Sequence, residues 1–317
     1  MKLHTDMKLF GETIRAASNH TGINVVFVEK DYWITFALSQ LSKSKHAGQT
    51  VFKGGTSLSK GYGLINRFSE DVDIAIIDTK NKSGNEIKNL IKKIEKEMTA
   101  GLDEKHVEEV TSKGSRFRKS VFEYPSINKE NVSNNLIVEI NSFANSVPFQ
   151  KLTIKSIVYD FLMQTDSVKY VDQYNLQPFE INTLNKEQTM MEKLVSLIRF
   201  SFAENVIESI ASRIRHFYDL YFLISDKQCY AFLKSVEFEK QFKELLKHDK
   251  ELFDIPTGWT EREINESPLI TDFGNTWNQL KNIYKSELSA YAFSQIPDEK
   301  QISKKFKDII ELVKLLR

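Results

Sequence analysis

The sequence predicts an α/β protein in which an amino-terminal lobe with a mixed sheet is followed by an α-helical carboxy-terminal lobe. Up to about residue 155, short segments of alternating apolar residues, typical of strands, are interspersed with segments of helical period. From Lys186 onward the apolar residues recur almost entirely at helical spacing, including the final segment 302–316. We therefore expect a catalytic lobe at residues 1–155 and a mainly helical lobe at 156–317 that completes a ligand cleft.

The elements of the first lobe follow from these periods in order. Helices are predicted at 28–43, 56–63 and Asn85–Met98, the last with Ile87, Leu90, Ile91 and Ile94 on one apolar face. Strands are predicted at Thr50–Lys53, 71–77, His106–Thr111, Arg116–Tyr124 and Leu136–Phe143. The last three are expected to form an antiparallel set, with a hairpin turn at Lys113-Gly114-Ser115.

Length and composition exclude several classes of protein. A chain of 317 residues with 41% apolar residues can bury a sizeable core, and its formal charge of +1 is not that of a general polyanion binder. The single cysteine, Cys229, excludes an internal disulfide. No run reaches the roughly 20 apolar residues of a membrane span, and the sequence MKLHTDMKLF lacks the apolar core of a signal peptide. We expect a cytoplasmic protein without a membrane partner.

A pair of glycines lies between a predicted strand and a predicted helix. Gly54 and Gly55 follow the strand Thr50–Lys53, and a helix is expected to begin at Thr56. The free backbone N–H groups at the start of such a helix can bind a phosphate. Gly54, Gly55, Thr56 and Ser57 are therefore candidate nucleotide-binding residues.

Two aspartates follow on the next predicted strand. Asp71 and Asp73 alternate with Val72, Ile74 and Ile76, so the carboxylates share one face and the apolar side chains share the other. Residues two apart on a strand are separated by roughly 6.6 Å, and carboxylates at this spacing can bind one or two Mg²⁺ ions. The order of strand, glycine turn, helix and acidic strand is typical of phosphoryl transfer.

Four blocks of sequence resemble the AbiEii family of nucleotidyltransferase toxins, a branch of the polymerase-β-like nucleotidyltransferases. They are VEKDYWITFAL at Val28–Leu38, VFKGGTSLSKGY at Val51–Tyr62, RFSEDVDI at Arg67–Ile74, and an EKL…RHFYDLYFLI pair of helices at Glu192–Ile224. The resemblance implies a polymerase-β-like lobe and transfer of a nucleoside monophosphate (NMP) from an NTP, with Mg²⁺ or Mn²⁺ bound by Asp71 and Asp73. It also implies a toxin of a toxin–antitoxin or phage-defence system, with a cognate antitoxin.

A third carboxylate is expected because two-metal sites generally need more than two acids. In the predicted strand Leu136–Phe143, Glu139 lies on the face opposite Leu136, Val138 and Ile140, which makes it the best candidate for accepting the proton of the attacking hydroxyl. It could equally be an ordinary exposed strand residue. Related toxins could also function with the aspartate pair alone.

Cations are needed to bind the triphosphate, since the leaving pyrophosphate carries developing charge. Lys193 lies beside the buried stripe of the predicted helix Lys186–Phe202, and the resemblance implies that the lysine of this EK helix reaches the active site. Lys60, after the glycines, and Arg67, before the acidic strand, are weaker candidates for binding phosphate.

The motif around Asp219 completes the family pattern. Asp219 is predicted to orient Lys193 or the incoming nucleotide, but it lies four residues after Arg215 and could instead form a helix salt bridge. His216 occupies a position where many family members carry a second aspartate, and its role is open. The charges of Glu29, Lys30 and Asp31 are expected to brace the catalytic lobe.

The acceptor of the transferred nucleotide is the least determined feature. The predicted hairpin interleaves Lys113, Arg116, Phe117, Arg118, Lys119 and Phe122, a pattern that can grip an RNA backbone and stack a base, although it also fits a solvated hairpin face. Lys88, Lys92, Lys93 and Lys96 add charge on the preceding helix. The resemblance implies an RNA acceptor, with the 3′ end of tRNA favoured. The alternatives are transfer to a protein hydroxyl, or a nucleotide-binding regulator without turnover.

Ser69 is a candidate control point. It precedes Asp71 by two residues and shares its strand face if the strand already begins there. A phosphate on this hydroxyl would place negative charge beside Asp71 and Asp73 and repel the NTP. A turn-forming or strand-capping role for the hydroxyl is the simpler reading.

Overall fold

A computed structural model describes residues 1–69, 71–127, 134–144 and 146–315. The chain forms two compact units. The first comprises Met1–Gly63 and Phe68–Leu184, and the second comprises Leu64–Arg67 and Asn185–Arg317. The predicted lobe boundary at 155/156 falls inside the first unit, between a strand and a helix. The functional division into catalytic lobe and cleft-completing helical lobe stays a prediction.

The first unit contains a mixed sheet and the helices that cover it. Its strands are β1 Thr50–Lys53, β2 Asp71–Ile76, β3 Asp103–Lys105, β4 Ser112–Lys113, β5 Phe117–Glu123, β6 Asn135–Asn141, β7 Phe149–Ile154 and β8 Phe179–Leu184. Its helices are α1 Met7–Thr21, α2 Val25–Ser42, α3 Gly54–Lys60, α4 Gly84–Met98, α5 Ile157–Gln164 and α6 Lys169–Tyr174, with short 3₁₀ turns at Leu3–Thr5 and Ala47–Gln49.

The sheet combines antiparallel and parallel pairs. Among the described residues its order is β3-β5-β6-β2-β1-β8-β7, and β4 pairs with β5. β2 runs parallel to β6 and antiparallel to β1, and β5 runs antiparallel to β6. The predicted mixed sheet is therefore confirmed.

The core of the first unit explains which face of the sheet the helices cover. Val72, Ile74 and Ile76 of β2 are at most 2% exposed and pack in one apolar cluster with side chains of α2 and α4, including Trp33 and Ile91. Because side chains alternate along a strand, the aspartates of β2 project from the other face. The acidic side chains of β2 therefore lie on the face of the sheet opposite α2 and α4.

Most of the predicted elements occur within a few residues of their expected bounds, and the hairpin turn at Lys113–Ser115 is confirmed by pairing of Lys113 with Arg118. The predicted strand His106–Thr111 is wrong. Here the carbonyl of Val107 accepts hydrogen bonds from the N–H groups of Val110 and Thr111, and Glu109 adopts a positive φ of 63°. This local turn uses the backbone groups that a strand would offer to its neighbours.

Charged residues near the start of α2 brace the first unit from inside. Glu29 accepts hydrogen bonds from Ser126 Oγ and the Ile127 N–H, both at 2.8 Å. Asp31 accepts one from the Ile157 N–H at 2.8 Å and forms a buried ion pair with Lys60 of α3. The predicted bracing role of this segment agrees with these contacts.

The second unit is helical. Its helices are α7 Lys186–Phe200, α8 Val206–Ala211, α9 Arg215–Ser225, α10 Lys227–Leu233, α11 Val236–Leu252, α12 Pro268–Thr271, α13 Phe273–Tyr291 and α14 Glu299–Val313, with 3₁₀ turns at Trp259–Glu261 and Ile264–Glu266. Phe217 of α9 packs against Trp277 and Phe306, at ring-centroid distances of 5.2 and 4.7 Å. The predicted last helix extended to Leu316, which lies outside the described residues.

The helices of both units differ from membrane-spanning helices, which are long and strongly apolar. Within the described ranges, none of them combines the length and the apolar character needed to cross a bilayer.

The ion pair between Asp31 and Lys60 yields a test of the bracing role. Asp31→Ala leaves the Lys60 ammonium buried without its counter-ion, so the free energy of unfolding should fall by about 3–5 kcal/mol. Urea denaturation measures the change. Asp31→Ala/Lys60→Met, which removes both charges, should recover part of the loss. Equal losses in the single and double variants would show that the ion pair does not brace the unit.

Candidate active site

A row of four charged side chains crosses four adjacent strands on the face of the sheet that carries the aspartates. Lys53 of β1 is the cross-strand partner of Asp73 of β2, Asp73 is that of Glu139 of β6, and Glu139 is that of Lys119 of β5. Directly paired residues share a face. Asp71, two residues before Asp73, shares it too, so three carboxylates lie between two lysines.

Burial along the strands agrees with the predicted faces. Leu136, Val138 and Ile140 of β6 are fully buried, whereas Glu139 between them is half-buried. Asp71 and Asp73 are likewise half-buried between buried apolar neighbours. The register, rather than proximity in sequence, brings Glu139 beside the aspartate pair.

The charges on this face shift the pKa of Glu139. Burial raises the pKa of Glu139, and the negative charge of Asp71 raises it further, while Lys119 and Lys53 act in the opposite direction. Lys119 Nζ lies 3.9 Å from Glu139 Oε2, at the limit of an ion pair. A divalent cation bound by these acids would remove the repulsion between them.

The glycine turn is fitted closely against Asp73. Gly54 has a φ of +77°, and a Cβ built on it would lie 1.9 Å from Asp73 Oδ2. Only glycine therefore allows this carboxylate to lie against the turn. The predicted need for unusual backbone angles is confirmed at Gly54, and its physical reason is the aspartate.

The hydroxyls after the turn bind backbone groups inside the protein. Thr56 Oγ1 donates to the Asp71 carbonyl oxygen at 2.5 Å, and Ser57 Oγ donates to the Gly54 carbonyl oxygen at 2.8 Å. Both side chains are buried. The Thr56 bond ties α3 to the first residue of β2, whereas the Ser57 bond stays within α3. Phosphate binding by Gly54, Gly55, Thr56 and Ser57 stays a prediction.

The donors on this face suit a magnesium-type ion. Carboxylate oxygens are the ligands that Mg²⁺ and Mn²⁺ prefer, and Mg²⁺ commonly takes one or two carboxylates together with waters and substrate phosphates. Within the part of the chain that the structure describes, no three His, Cys, Asp or Glu side chains converge closely enough to hold a metal ion. The residues therefore fit an ion bound by Asp71 and Asp73 and completed by the NTP, with Glu139 beside it.

A second charged cluster is buried in the second unit. Arg67 donates from Nε and Nη2 to the two oxygens of Asp219 at 2.7 and 2.6 Å, and Lys193 Nζ lies 2.8 Å from Oδ2. Burial alone would raise the pKa of Asp219, but the two cations outweigh it and hold the pKa well below its usual range. The predicted orientation of Lys193 by Asp219 agrees with this contact. The alternative partner Arg215 instead lies over the Tyr291 ring at 5.3 Å.

His216 borders the same cluster. Burial, and then the charge of Lys193, lowers the pKa of His216 well below its usual value, so the ring is neutral at neutral pH. Its Nδ1 is buried without a hydrogen-bond partner among the described residues. The neutral ring therefore adds no charge to the cluster. Roles of Lys193, Asp219 and His216 in catalysis remain predictions.

Several cations predicted to bind phosphate or RNA have partners within the protein. Lys60 is paired with Asp31, and Arg67 with Asp219, so their charges are already compensated. Two cations of the hairpin are compensated too, as Lys113 pairs with Glu104 at 2.8 Å and Arg118 with Glu95 and Glu104. These contacts favour the reading of the hairpin as an ordinary charged surface.

The positions of Ser69 and Lys53 relative to the aspartates could not be predicted from the sequence. β2 begins at Asp71, so Ser69 precedes the strand and the condition for sharing its face is not met. Its regulatory role stays a prediction. Lys53, beside Asp73 in the register, was not among the predicted site residues. Only the pairing of β1 with β2 identifies it, because a lysine ending a strand carries no signal of its own.

The close approach of Gly54 and Asp73 can be tested by stability. Gly54→Ala introduces a side chain at positive φ against the carboxylate, so the free energy of unfolding should fall by about 1–3 kcal/mol. Thermal denaturation measures it. Gly84→Ala is the matched control, since a Cβ there meets nothing within 4 Å. Equal melting temperatures for Gly54→Ala and the parent protein would contradict the described packing.

Comparisons with known proteins identify the family of the chain and a similar fold. The family model described as "Nucleotidyl transferase AbiEii toxin, Type IV TA system" matches residues 37–309. Among solved structures, the chain is similar to MenT4, a nucleotidyltransferase toxin from Mycobacterium tuberculosis H37Rv. The two share 12% identity and a TM-score of 0.53, with 96% of this chain and 90% of that chain covered. No curated protein sequence matches the chain.

The structural likeness supports the predicted nucleotidyltransferase fold, with its mixed sheet and helical carboxy-terminal part. The family match extends over most of the chain and confirms that the protein is an enzyme. Enzymes of this kind use an NTP and a divalent metal ion, and a type IV toxin has an antitoxin partner. The chain belongs to the AbiEii family of nucleotidyl transferase toxins of type IV toxin–antitoxin systems.

Proposed function

We propose that this enzyme transfers NMP from an NTP to the 3′-terminal hydroxyl of an RNA, with tRNA as the favoured acceptor, and that Asp71 and Asp73 bind Mg²⁺ or Mn²⁺. The observation that carries the proposal is the row of Asp73 and Glu139 in register on adjacent strands, with Asp71 on the same face. Such a row supplies oxygen ligands and a spare carboxylate at one place.

The proposed transfer forms one bond, breaks another and releases a proton, and each event needs a residue of the acidic face. The acceptor hydroxyl oxygen forms a bond to the α-phosphorus, the bond to the pyrophosphate oxygen breaks, and the hydroxyl proton is released to a base. Glu139 is the carboxylate placed to take that proton. A divalent ion bound by Asp71 and Asp73 would neutralise negative charge on the phosphates of the NTP. Thr56, through its bond to the Asp71 carbonyl, keeps the strand that carries both ligands in place.

The acceptor of the NMP is either an RNA or a protein. Support for RNA comes from the resemblance, whereas Lys113 and Arg118 of the hairpin are ion-paired within the protein. That observation favours a second candidate, transfer of NMP to a protein hydroxyl. Both candidates share the same chemistry at phosphorus and differ only in the nucleophile.

Loss of either metal-binding carboxylate should abolish transfer. Asp71→Ala and Asp73→Ala should each lower the rate by about 1000-fold or more, since a lost ion costs several kcal/mol of transition-state stabilisation. The measurement is incorporation of label from each of the four α-labelled NTPs, incubated in turn with Mg²⁺ and total cellular RNA or total cellular protein. Label in RNA supports the first candidate, and label only in protein supports the second.

Two controls sharpen this experiment. Asp103→Ala, an exposed aspartate at the sheet edge, should retain the parent rate, and circular dichroism should show that all variants are folded. Gly54→Ala should lower the rate as well, because its side chain displaces Asp73. Parent-like incorporation by Asp71→Ala would refute the assigned metal site.

Growth of cells expressing the protein provides an independent readout. Uncontrolled modification of RNA should arrest growth, so the parent protein should be toxic and Asp73→Ala harmless at equal expression. Colony counts after induction, with immunoblots for protein level, measure the effect. If both proteins arrest growth equally, toxicity does not arise from nucleotidyl transfer. A role in phage defence is proposed on the resemblance and would appear as fewer plaques on cells that carry the intact toxin–antitoxin pair.

A further inference from the structure

The first unit contains a cavity of about 820 Å³ that the chemistry above does not use. It is lined by α2, by α4 and by the segment between α6 and β8. Gln40 of α2 donates from its side-chain amide to the carbonyl oxygens of Met98 and Ala100, both at 3.1 Å, and so fixes one wall of the cavity against the other. The volume falls within the range of small-molecule sites.

The cavity lies on the opposite side of the sheet from the carboxylates. α2 and α4 cover the face of β2 that presents Val72 and Ile74, while Asp71 and Asp73 project from the other face. A ligand in the cavity would therefore contact neither aspartate. The cavity is therefore spatially separate from the face proposed to bind NTP.

The rim of the cavity is strongly cationic. Five lysines and a single glutamate, Glu97, line it: the lysines are Lys2, Lys43, Lys45, Lys93 and Lys96. Burial, and then the nearby charge of Lys43, lowers the pKa of Lys2. This concentration of positive charge contrasts with the formal charge of +1 for the whole chain. Bound negative charge would relieve the repulsion among the lysines.

The floor of the cavity is aromatic. Tyr32 and Phe36 of α2 line it together with Tyr174 and Phe179, and Lys2 Nζ lies 4.1 Å from the centroid of the Phe36 ring. Asn175 adds an amide that can donate and accept hydrogen bonds. A small inorganic anion would leave the aromatic floor unused, and an uncharged apolar molecule would leave the lysines unbalanced.

We propose that this cavity binds a free nucleotide carrying two or more phosphate groups, with the base on the aromatic floor and the phosphates at the lysine rim. A flat aromatic body joined to several negative charges matches both halves of the lining. The volume suits a mononucleotide.

Calorimetric titration of the full-length protein with ADP in excess EDTA tests this site. Chelation keeps the metal-dependent site from contributing, so the parent protein and Asp71→Ala should bind ADP equally. Lys93→Glu/Lys96→Glu, which reverses two charges of the rim, should weaken ADP binding by about 100-fold or more. Lys88→Glu/Lys92→Glu changes charge equally on exposed positions of the same helix that do not line the cavity, and should weaken ADP binding by about fivefold or less.

The outcomes separate this proposal from the proposed function. No ADP binding in EDTA, loss of binding in Asp71→Ala, or equal weakening in the two lysine variants would each overturn the second site. Tripolyphosphate binding as tightly as ADP would overturn the role of the aromatic floor. None of these results bears on NMP transfer, which is measured with Mg²⁺ and depends on Asp71 and Asp73.

Discussion

The strict alternation of side chains along β2 is the constraint on which the active face depends. Val72, Ile74 and Ile76 of this strand are buried in the core beneath α2 and α4. Because side chains alternate along a strand, Asp71 and Asp73 must lie on the opposite face of the sheet. A slip of one residue would bury both carboxylates and expose the apolar side chains. The pairing of β2 with β1 on one side and β6 on the other then adds Lys53 and Glu139 to the same row. The arrangement of the acidic row is thus a consequence of hydrophobic burial.

Charge compensation is the second principle of this structure. Asp219 is fully buried, yet it is surrounded by the guanidinium of Arg67 and the ammonium of Lys193 at hydrogen-bonding distance. Asp31 likewise forms an ion pair with Lys60 and accepts a hydrogen bond from the Ile157 N–H. Buried ions survive only with such partners. The acidic row on β2 and β6 differs, because the strand register brings three carboxylates, those of Asp71, Asp73 and Glu139, onto one face of the sheet.

The sequence predicts those features that depend on local periods. The alternation of Asp71 and Asp73, the helix Asn85–Met98 and the face of Glu139 could all be derived, because each requires only neighbouring residues. The register that puts Glu139 opposite Asp73 could not, nor could the position of Lys53, since both depend on which strands pair. Arg67 and Asp219 are 152 residues apart, and no local pattern joins them. The strand predicted at His106–Thr111 was wrong because this segment forms a hydrogen-bonded backbone turn that its side-chain pattern does not reveal.

The four residues Leu64–Arg67 affect how the two units can be exchanged between related proteins during evolution. They belong to the helical unit, although the sequence before and after them belongs to the sheet unit. A fragment that begins at Asn185 would carry Asp219 without Arg67, and the buried carboxylate would lose half of its counter-charge. A simple cut at the end of β8 therefore cannot yield two self-sufficient modules. Recombination that exchanges one unit between relatives would have to carry this short segment along, so the chain is expected to evolve as one piece.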